Sequence, residues 1–371
     1  MSFFQNHSGW PLVPLKNIAT LKRGYDLPVG SRNEGAVPIY AANGKNGAHD
    51  EVKIKGPGVI TGRSGTIGKV HYCEEGFWPL NTALYVMDFH GNHPRWVYYM
   101  LSAFKLERFS EGAGVPTLNR NLVHDELIPL PPLPEQKRIA AILDKADAIR
   151  RKRQQAIQLA DDFLRAVFLD MFGDPVTNPK GLDITSIGKL CDVATGATPP
   201  RGGDEYYGGD IPWVKTGEVD GYVIYKTEEN ITSKALSISN CKLNPVGSIV
   251  MAMYGQGKTR GKVGVLGVEA ATNQACAVIK PSSKIMMEYL YFYLKISYEA
   301  LRSLGQGAGQ PNLNLSIVKG FPVLLPSEVD QMRFLKVSES VGNFSKRSLS
   351  AIQDSSEFFK ALSQKAFSGE L

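Results

Sequence analysis

The sequence has few of the residues that build metal or redox sites. Its four cysteines, Cys73, Cys191, Cys241 and Cys276, lie far apart, and no Cys-x-x-Cys pair occurs. Zinc sites and disulfide frameworks need closely or regularly spaced cysteines. The spacing therefore predicts four buried thiols and neither a metal site nor a disulfide.

Long apolar runs are also missing. No stretch of about 18 uncharged apolar residues occurs, and the first residues lack the basic start and apolar run of a targeting segment. A hydrophobic content of 43% and a mean hydropathy of -0.16 are typical of a globular protein. We therefore expect a cytoplasmic protein without a membrane partner.

The motifs of nucleotide binding and nucleophilic catalysis are incomplete. Gly257-Lys258-Thr259 resembles the end of a P-loop, but Ala252 stands where that motif has glycine. Gly62-Arg63-Ser64-Gly65-Thr66 resembles a nucleophile elbow, but Thr66 replaces the final glycine. All six histidines precede residue 125. No catalytic residue is predicted from these patterns.

The chain contains an internal repeat. Residues 112–119 read Gly-Ala-Gly-Val-Pro-Thr-Leu-Asn, and residues 307–314 read Gly-Ala-Gly-Gln-Pro-Asn-Leu-Asn. Solenoid repeats have periods of roughly 20 to 50 residues, so this much longer offset indicates two related domains, each with its own core. The N-terminal part of each half, called its front below, has diverged more in sequence than its C-terminal part. This suggests variable recognition surfaces on a constant scaffold.

Each half ends in a long predicted helix. Residues 135–172 contain no glycine or proline, and apolar residues, among them Ile149 and Phe163, recur at steps of three and four. Gly173 and Pro175 end this helix. The repeat predicts a second helix near the C-terminus, and two matching apolar faces predict an antiparallel pair. The alternative is that each helix packs on its own half as ordinary core.

The predicted fold class is α+β. It consists of two mixed α/β, β-rich globular domains, related by pseudo-two-fold symmetry and joined by two long antiparallel helices that form a coiled coil. The predicted segments are a first β-rich domain at 1–133, a central helix at 134–175, a second β-rich domain at 176–325 and a C-terminal helix at 326–371.

Each β-rich domain contains strands that lead into Gly-rich polar loops. Strands are predicted at 58–61 and 83–87 in the first domain and at 247–253 and 275–279 in the second. The loops at 62–69 and 254–262 combine cations, hydroxyls and amides on a permissive backbone, which suits contacts to phosphates and base edges. Two more polar loops are predicted at 40–47 and 199–207.

These four loops and Lys215 supply the candidate nucleic-acid contacts. Asn and Gln can read adenine, and Arg or Lys can read guanine, through paired hydrogen bonds. The formal net charge of +6 is compatible with a polyanionic partner but does not require one. The predicted DNA-binding set is Tyr40, Asn43, Lys45, Asn46, Arg63, Ser64, Thr66, Lys69, Arg201, Tyr206, Tyr207, Lys215, Tyr254, Gln256, Lys258, Arg260 and Lys262.

These residues and segments resemble a known family. Two diverged β-rich domains, the first followed by Pro-Leu-Pro-Pro-Leu-Pro-Glu-Gln-Lys-Arg-Ile at 129–139 and a long helix, resemble the specificity subunit of type I restriction-modification systems. Ile39–Gly44 and Trp78–Thr82 are similar to parts of one target recognition domain, and Gly209–Val214 is similar to the start of another. Ser327-Glu328-Val329-Asp330-Gln331 departs from the pattern before the second helix.

The resemblance implies a non-catalytic reader of double-stranded DNA. Each domain would bind one half of an asymmetric bipartite target in the major groove, and the helix pair would set the spacer. The resemblance also implies two modification (methyltransferase) subunits and restriction (translocase and nuclease) subunits as partners. S-adenosylmethionine, ATP and magnesium would act in those partners, with no cofactor or metal in this chain.

Two other functions remain open on the residues alone. A self-contained enzyme acting on DNA or carbohydrate could use the Gly-rich loops with carboxylates such as Asp204, Glu205 and Asp210. Asp204 and Glu205 have no equivalents in the first half, although a duplicated active site should occur in both halves or in neither. A purely structural coiled-coil scaffold would leave the polar loops without a role.

Overall fold

The computed structural model describes residues 3–112, 114–202, 204–255, 257–306 and 311–371, and only the backbone of Asp204. The chain divides into two compact units. Unit 1 comprises residues 1–156 and 347–371, and unit 2 comprises residues 157–346. Each unit therefore takes one part of each long helix.

The described part of unit 1 begins with short strands and two short α-helices, followed by a 40-residue helix that continues into unit 2. The strands are β1 (Leu12–Pro14), β2 (Thr20–Arg23), β3 (Val37–Ala41), β4 (Gly44–His49), β5 (Gly58–Gly62), β6 (Val70–Cys73), β7 (Trp78–Pro79), β8 (Ala83–Asp88), β9 (Ser110–Glu111), β10 (Thr117–Leu118) and β11 (Leu127–Pro129), and the helices are α1 (Pro94–Ala103), α2 (Arg120–His124) and α3 (Leu133–Phe172).

Two sheets shape the front of unit 1. Strands β2, β8, β5 and β6 form an antiparallel sheet in that order. Strand β3 pairs with β4 in a hairpin and runs parallel to β7. The predicted strands at 58–61 and 83–87 are confirmed as β5 and β8. The predicted loop at 40–47 is wrong, because Tyr40 pairs with Lys45 and Ala41 pairs with Gly44 in the β3–β4 hairpin.

Unit 2 has a matching set of elements. The strands are β12 (Ile184–Ser186), β13 (Val193–Thr195), β14 (Tyr207–Val214), β15 (Val223–Ile224), β16 (Asn230–Ile231), β17 (Ile249–Ala252), β18 (Val263–Leu266), β19 (Ala271–Thr272), β20 (Cys276–Ile279) and β21 (Pro322–Leu324), and the helices are α4 (Ile187–Leu190), α5 (Ser233–Ile238), α6 (Met287–Ile296), α7 (Tyr298–Ser303), α8 (Leu315–Gly320) and α9 (Glu328–Ser368).

The sheets of unit 2 repeat the order seen in unit 1. Strands β13, β20, β17, β18 and β15 form one sheet, and β16, β14 and β19 form the other. The first sheet corresponds to β2, β8, β5 and β6, with β15 added in parallel to β18. The predicted strands at 247–253 and 275–279 are confirmed as β17 and β20. The loop predicted at 199–207 is wrong at its end, where β14 begins.

The long helices complete the core of each unit. In unit 1, Ile139 and Leu143 of α3 and Phe367 of α9 are buried with Trp96 of α1. In unit 2, Phe168 of α3 and Phe334 of α9 meet edge to face at 5.4 Å between ring centroids. Burial of such side chains contributes about 1.5–3 kcal/mol each. The helices therefore hold each front in place.

The two helices also contact one another. Within unit 1, Arg138 donates to the carbonyl of Leu371 at 2.9 Å, and Arg153 donates to the carbonyl of Ala351. Because the partner number falls as the α3 number rises, the segments run antiparallel. The apolar face is narrower than predicted: Ile149 is 52% exposed and Phe163 is 53% exposed, so their assignment to the buried stripe is wrong.

The mixed α+β class, with two β-rich units and two long helices, is confirmed. All four cysteines are buried and free, as predicted. Within the described ranges, no helix is both long and apolar enough to cross a membrane.

Candidate nucleic-acid interface

In unit 1 the tip of the β3–β4 hairpin lies against the Gly-rich loop at 62–69. Gly62 ends β5, and a Cβ placed on it would collide with the carbonyl oxygen of Thr66 and approach that of Ala42 to 3.1 Å. Gly44 has φ +116° and faces the ring of His71. Only glycine allows these close backbone approaches. The approach at Gly62 brings the hairpin tip and the Gly-rich loop together.

The repeated motif holds this loop. The amide of Gly65 donates to the carbonyl of Pro116 at 3.0 Å, and the amide of Leu118 donates to the carbonyl of Arg63 at 2.7 Å. The amide of Arg63 donates to Thr82 at 2.8 Å. The described part of the motif therefore fixes the loop through its backbone, whereas Ala113 lies outside the described residues. This role was not predicted from the sequence.

The candidate side chains of unit 1 differ in exposure. Asn43, Lys45, Asn46 and Lys69 are exposed. The carbonyl of Asn46 accepts a hydrogen bond from Arg32 at 3.2 Å. These four side chains are the exposed members of the candidate set in unit 1.

The remaining unit 1 candidates are partly buried. Arg63 donates through Nε to the carbonyl of Asn81 at 3.0 Å, and Ser64 and Thr66 are half-buried in the same loop. Tyr40 packs edge to face on Phe77. Burial is the main cause that raises the pKa of Tyr40 to about 12.

The corresponding loop of unit 2 is held in a similar way. The amide of Leu313 donates to the carbonyl of Met253 at 3.0 Å. The guanidinium of Arg260 donates to the carbonyls of Pro311 and Arg302, the latter at 3.4 Å. Arg260 is thus directed toward the backbone. Pro311 is the repeat of Pro116, while residues 307–310 and Gln256 lie outside the described residues.

Three lysines surround a recess beside this loop. Lys258, Lys262 and Lys295 line a pocket of about 230 Å³ together with Tyr298. Lys258 is exposed, and its carbonyl accepts from the phenol of Tyr298 at 2.7 Å. Lys262 pairs with Asp220. Lys295 lies on α6, one turn before the start of α7, and the loop motif alone could not identify it.

Two other candidate cations of unit 2 are neutralised by neighbouring carboxylates. Arg201 contacts Glu229 at 2.9 Å, and Lys215 contacts Glu228 and Glu229 at 2.9 and 3.2 Å. The hydrogen bond that Lys215 donates to Glu228 is the main cause that raises the pKa of Lys215. These cations therefore start from an ion-paired state, unlike Lys258.

The candidate tyrosines of unit 2 lie in different environments. Tyr254 is 42% exposed at the start of the Gly-rich loop. Tyr207 donates to the carbonyl of Pro199 at 2.7 Å, and burial is the main cause that raises its pKa. Tyr206 is half-buried and lies below the ammonium group of Lys234. Of these rings, that of Tyr254 is the most accessible for stacking.

Among the described residues, no pairing is seen between the carboxylates that a self-contained enzyme would use. Glu205 contacts Lys234 at 2.6 Å, and this hydrogen bond is the main cause that lowers the pKa of Glu205. The side chain of Asp204 is outside the described structure. Among the described residues, no group of three or more His, Cys, Asp or Glu is arranged to hold a metal ion.

Comparison with known families identifies the fold and its repeats. The profile of the type I restriction modification DNA specificity domain matches residues 7–159 and again residues 179–352. The chain belongs to this family and contains two copies of its domain. The family match supports recognition of a DNA target and gives no support to the self-contained enzyme.

Curated relatives match parts of the chain. The MjaIX specificity subunit of Methanocaldococcus jannaschii is 30% identical over 167 residues, which cover 43% of this chain and 37% of the relative. The EcoR124I/EcoR124II specificity subunit of Escherichia coli is 23% identical over 257 residues, 66% of this chain and 62% of the relative. The matched parts thus span less than two thirds of either relative.

Solved structures share the fold over almost the whole chain. The type I restriction-modification S subunit of M. genitalium superposes with a TM-score of 0.60 at 14% identity, covering 98% of this chain and 97% of that one. A chain from a study of complex assembly and conformational transition in the type I system gives a TM-score of 0.57 at 15% identity, covering 99% and 100%. These likenesses establish the fold.

Replacement of Gly62 by alanine should displace the unit 1 loop, because the added Cβ collides with backbone that cannot rotate away. We expect faster hydrogen exchange at the amides of Arg63, Gly65 and Leu118, whose hydrogen bonds depend on the loop position. Mass spectrometry after deuterium labelling measures this. Gly30→Ala is the control, because nothing lies within 4 Å of a Cβ there. Unchanged exchange in Gly62→Ala would contradict the packing described above.

Proposed function

We propose that this chain is the DNA-reading subunit of a type I restriction-modification complex. Residues 1–133 and 176–325 are its two target recognition domains, and 134–175 and 326–371 are the helical segments that join them. Each domain reads one half of an asymmetric bipartite target. The observation that carries the proposal is the double match to the DNA specificity domain, one match for each front.

The loops are suited to this role. In unit 1, exposed Asn43, Lys45, Asn46 and Lys69 present amides and cations on a hairpin and a loop that support one another. In unit 2, Lys258, Lys262 and Lys295 surround a recess that we assign to a backbone phosphate. Asp220 also lines it and pairs with Lys262, so Lys262 would exchange this carboxylate for the phosphate. Phosphate contacts fix register, and base-edge contacts give specificity. The two fronts differ in sequence, so the two half-sites differ.

The other predicted residues receive supporting roles. Arg63, Ser64, Thr66 and Arg260 shape the loops through contacts to the backbone or through partial burial. Arg201 and Lys215 contact phosphate only after their ion pairs with Glu228 and Glu229 break, which lowers their contribution to DNA affinity. Tyr254 offers an exposed ring, whereas Tyr40, Tyr206 and Tyr207 help to support the polar surface.

The chain supplies recognition, and the chemistry belongs to its partners. Modification subunits carry methyl transfer with S-adenosylmethionine, and restriction subunits use ATP and magnesium. We propose that the exposed apolar residues of the long helices help to dock two modification subunits. Phe163 in unit 2 is 53% exposed, and its repeat Phe358 in unit 1 is 62% exposed.

Methylome sequencing tests the proposed function. Cells that express the chain with its cognate modification subunit should gain one methylated motif with two unlike halves and a fixed spacer. Cells with the modification subunit alone should lack it. The absence of a new motif, with an assembled complex and an active modification subunit, would contradict the proposal.

Alanine at Lys69 or Lys258 should weaken DNA binding by the assembled complex, because each removes an exposed cation from a recognition loop. The slope of log K against log salt should fall in magnitude by about 0.9 for each lost phosphate contact. Fluorescence anisotropy across a potassium chloride series measures both quantities.

Lys55→Ala and Lys280→Ala are the controls, and Lys280, unlike Lys258, pairs with a carboxylate, that of Asp192, at 3.1 Å. Lys55 precedes β5 and Lys280 follows β20, so both lie at the strand ends opposite the loops. Controls that behave like wild type while Lys69→Ala and Lys258→Ala lose affinity support the loop assignment. Unchanged affinity and slope in both loop variants would overturn it.

A further inference from the structure

Unit 2 contains an open cleft of about 1010 Å³ beside α6, β18 and α9. Its wall includes Val265 of β18 and the side chains of Tyr291 and Phe292 on α6. Glu288 of α6 and Glu339 of α9 also line it. The cleft thus combines aromatic and aliphatic surface with two carboxylates.

The equivalent place in unit 1 is occupied by an arginine of the chain itself. Arg95 of α1 donates through Nε to Asp144 of α3 at 2.6 Å, and Tyr99 donates to the same carboxylate oxygen at 2.6 Å. The Arg95 guanidinium lies 4.4 Å from the ring centre of Tyr72 and 5.1 Å from that of Tyr98. Ion pairing and cation–π contacts therefore hold this guanidinium.

Two matching hydrogen bonds fix the correspondence between the units. The side chain of Gln136 on α3 accepts from the amide of His93 at 2.9 Å, and that of Gln331 on α9 accepts from the amide of Met286 at 3.1 Å. When positions are counted along the chain from these bonds, Arg95 corresponds to Glu288, Tyr99 to Phe292 and Asp144 to Glu339. Tyr72 and Val265 are each the third residue of matching strands.

Unit 2 has thus kept the acidic partner and replaced the cation. Glu339 stands in the place of Asp144, but the place of Arg95 holds a second carboxylate, Glu288. Neither glutamate forms a salt bridge within the part of the chain that the structure describes. Tyr291 keeps the aromatic ring that Tyr98 supplies in unit 1. Phe292 keeps the ring but not the hydroxyl of Tyr99, and Val265 replaces Tyr72, the ring nearest to Arg95. An acidic and aromatic part of the guanidinium's surroundings therefore remains in unit 2, while the chain's own guanidinium is missing.

The charges around the cleft favour a cation. Glu328 is a third carboxylate in the wall, against the two lysines Lys284 and Lys346. Lys284 is directed to the carbonyl of Lys189, to which it donates at 3.0 Å. A planar guanidinium can pair with carboxylates and stack on an aromatic ring at once, which an ammonium group cannot do.

We propose that this cleft receives an arginine side chain of a modification subunit, which pairs with Glu288 and Glu339 and stacks on Tyr291. This inference rests on the proposed function for the identity of the partner. It also makes the two docking events unequal. The modification subunit on unit 2 inserts its arginine into the cleft, whereas the subunit on unit 1 meets a site that Arg95 already fills.

The test replaces Glu288 by arginine in the full-length chain, which places a guanidinium beside Glu339 as in unit 1. Titration with modification subunit, followed by native mass spectrometry, should show one subunit bound as in wild type. The second should bind roughly 30-fold more weakly or worse, the usual scale for loss of a desolvated charge pair. Glu339→Gln should act in the same direction. Thermal unfolding confirms that both variants fold.

Glu299→Arg is the matched control, since it makes the same charge change on exposed α7 outside the cleft. Wild-type affinity for both subunits in the Glu288 and Glu339 variants would overturn the proposal. Failure of the wild-type chain to bind any modification subunit would instead contradict the proposed function.

The cleft can also be tested without a partner. N-acetylarginine amide should produce saturable NMR shifts in the wild-type and Glu299→Arg chains, and none in Glu288→Arg. The absence of saturable shifts in wild type would overturn the arginine assignment.

Discussion

The packing of two long helices into the β-rich cores is the constraint on which the structure depends. In unit 2, Phe168 and Phe172 of α3 pack on Tyr289 of α6, and Phe334 of α9 packs on both phenylalanines; all four are almost fully buried. In unit 1, Phe367 of α9 packs on Trp96 in the same way. Since each core needs residues from both helices, neither front has a complete core on its own. The helices are part of the core of each unit as well as a connection between segments of the chain.

A second constraint ties the repeated motif to the loops that we assign to DNA. Pro116 and Pro311 accept hydrogen bonds from the two Gly-rich loops, one from a backbone amide and the other from a guanidinium. The asparagines that end the motif, Asn119 and Asn314, cap α2 and α8. The motif thus connects a Gly-rich loop to a short helix in each unit. This explains why it is similar in both halves while the loops differ.

Much of the architecture could be predicted from the sequence, because periodicity and turn residues are local signals. The long helices, the strands β5, β8, β17 and β20, and the Gly-rich loops all follow from such signals. The state of individual side chains could not be predicted, because it depends on distant partners. Lys215 meets Glu228 and Glu229 only after the chain has returned to the β14–β16 pair. Glu288 of unit 2 stands at the position equivalent to Arg95 of unit 1, and this difference can likewise be interpreted only when the structures of the two units are compared.

The central claim is that each unit reads its own half of the target. The most direct measurement is methylome sequencing of a chimera in which residues 1–133 are exchanged for those of a family member with a different first half-site. The account predicts that one half of the methylated motif changes while the other half and the spacer stay the same. A change in both halves, from a chimera that assembles and methylates, would contradict it.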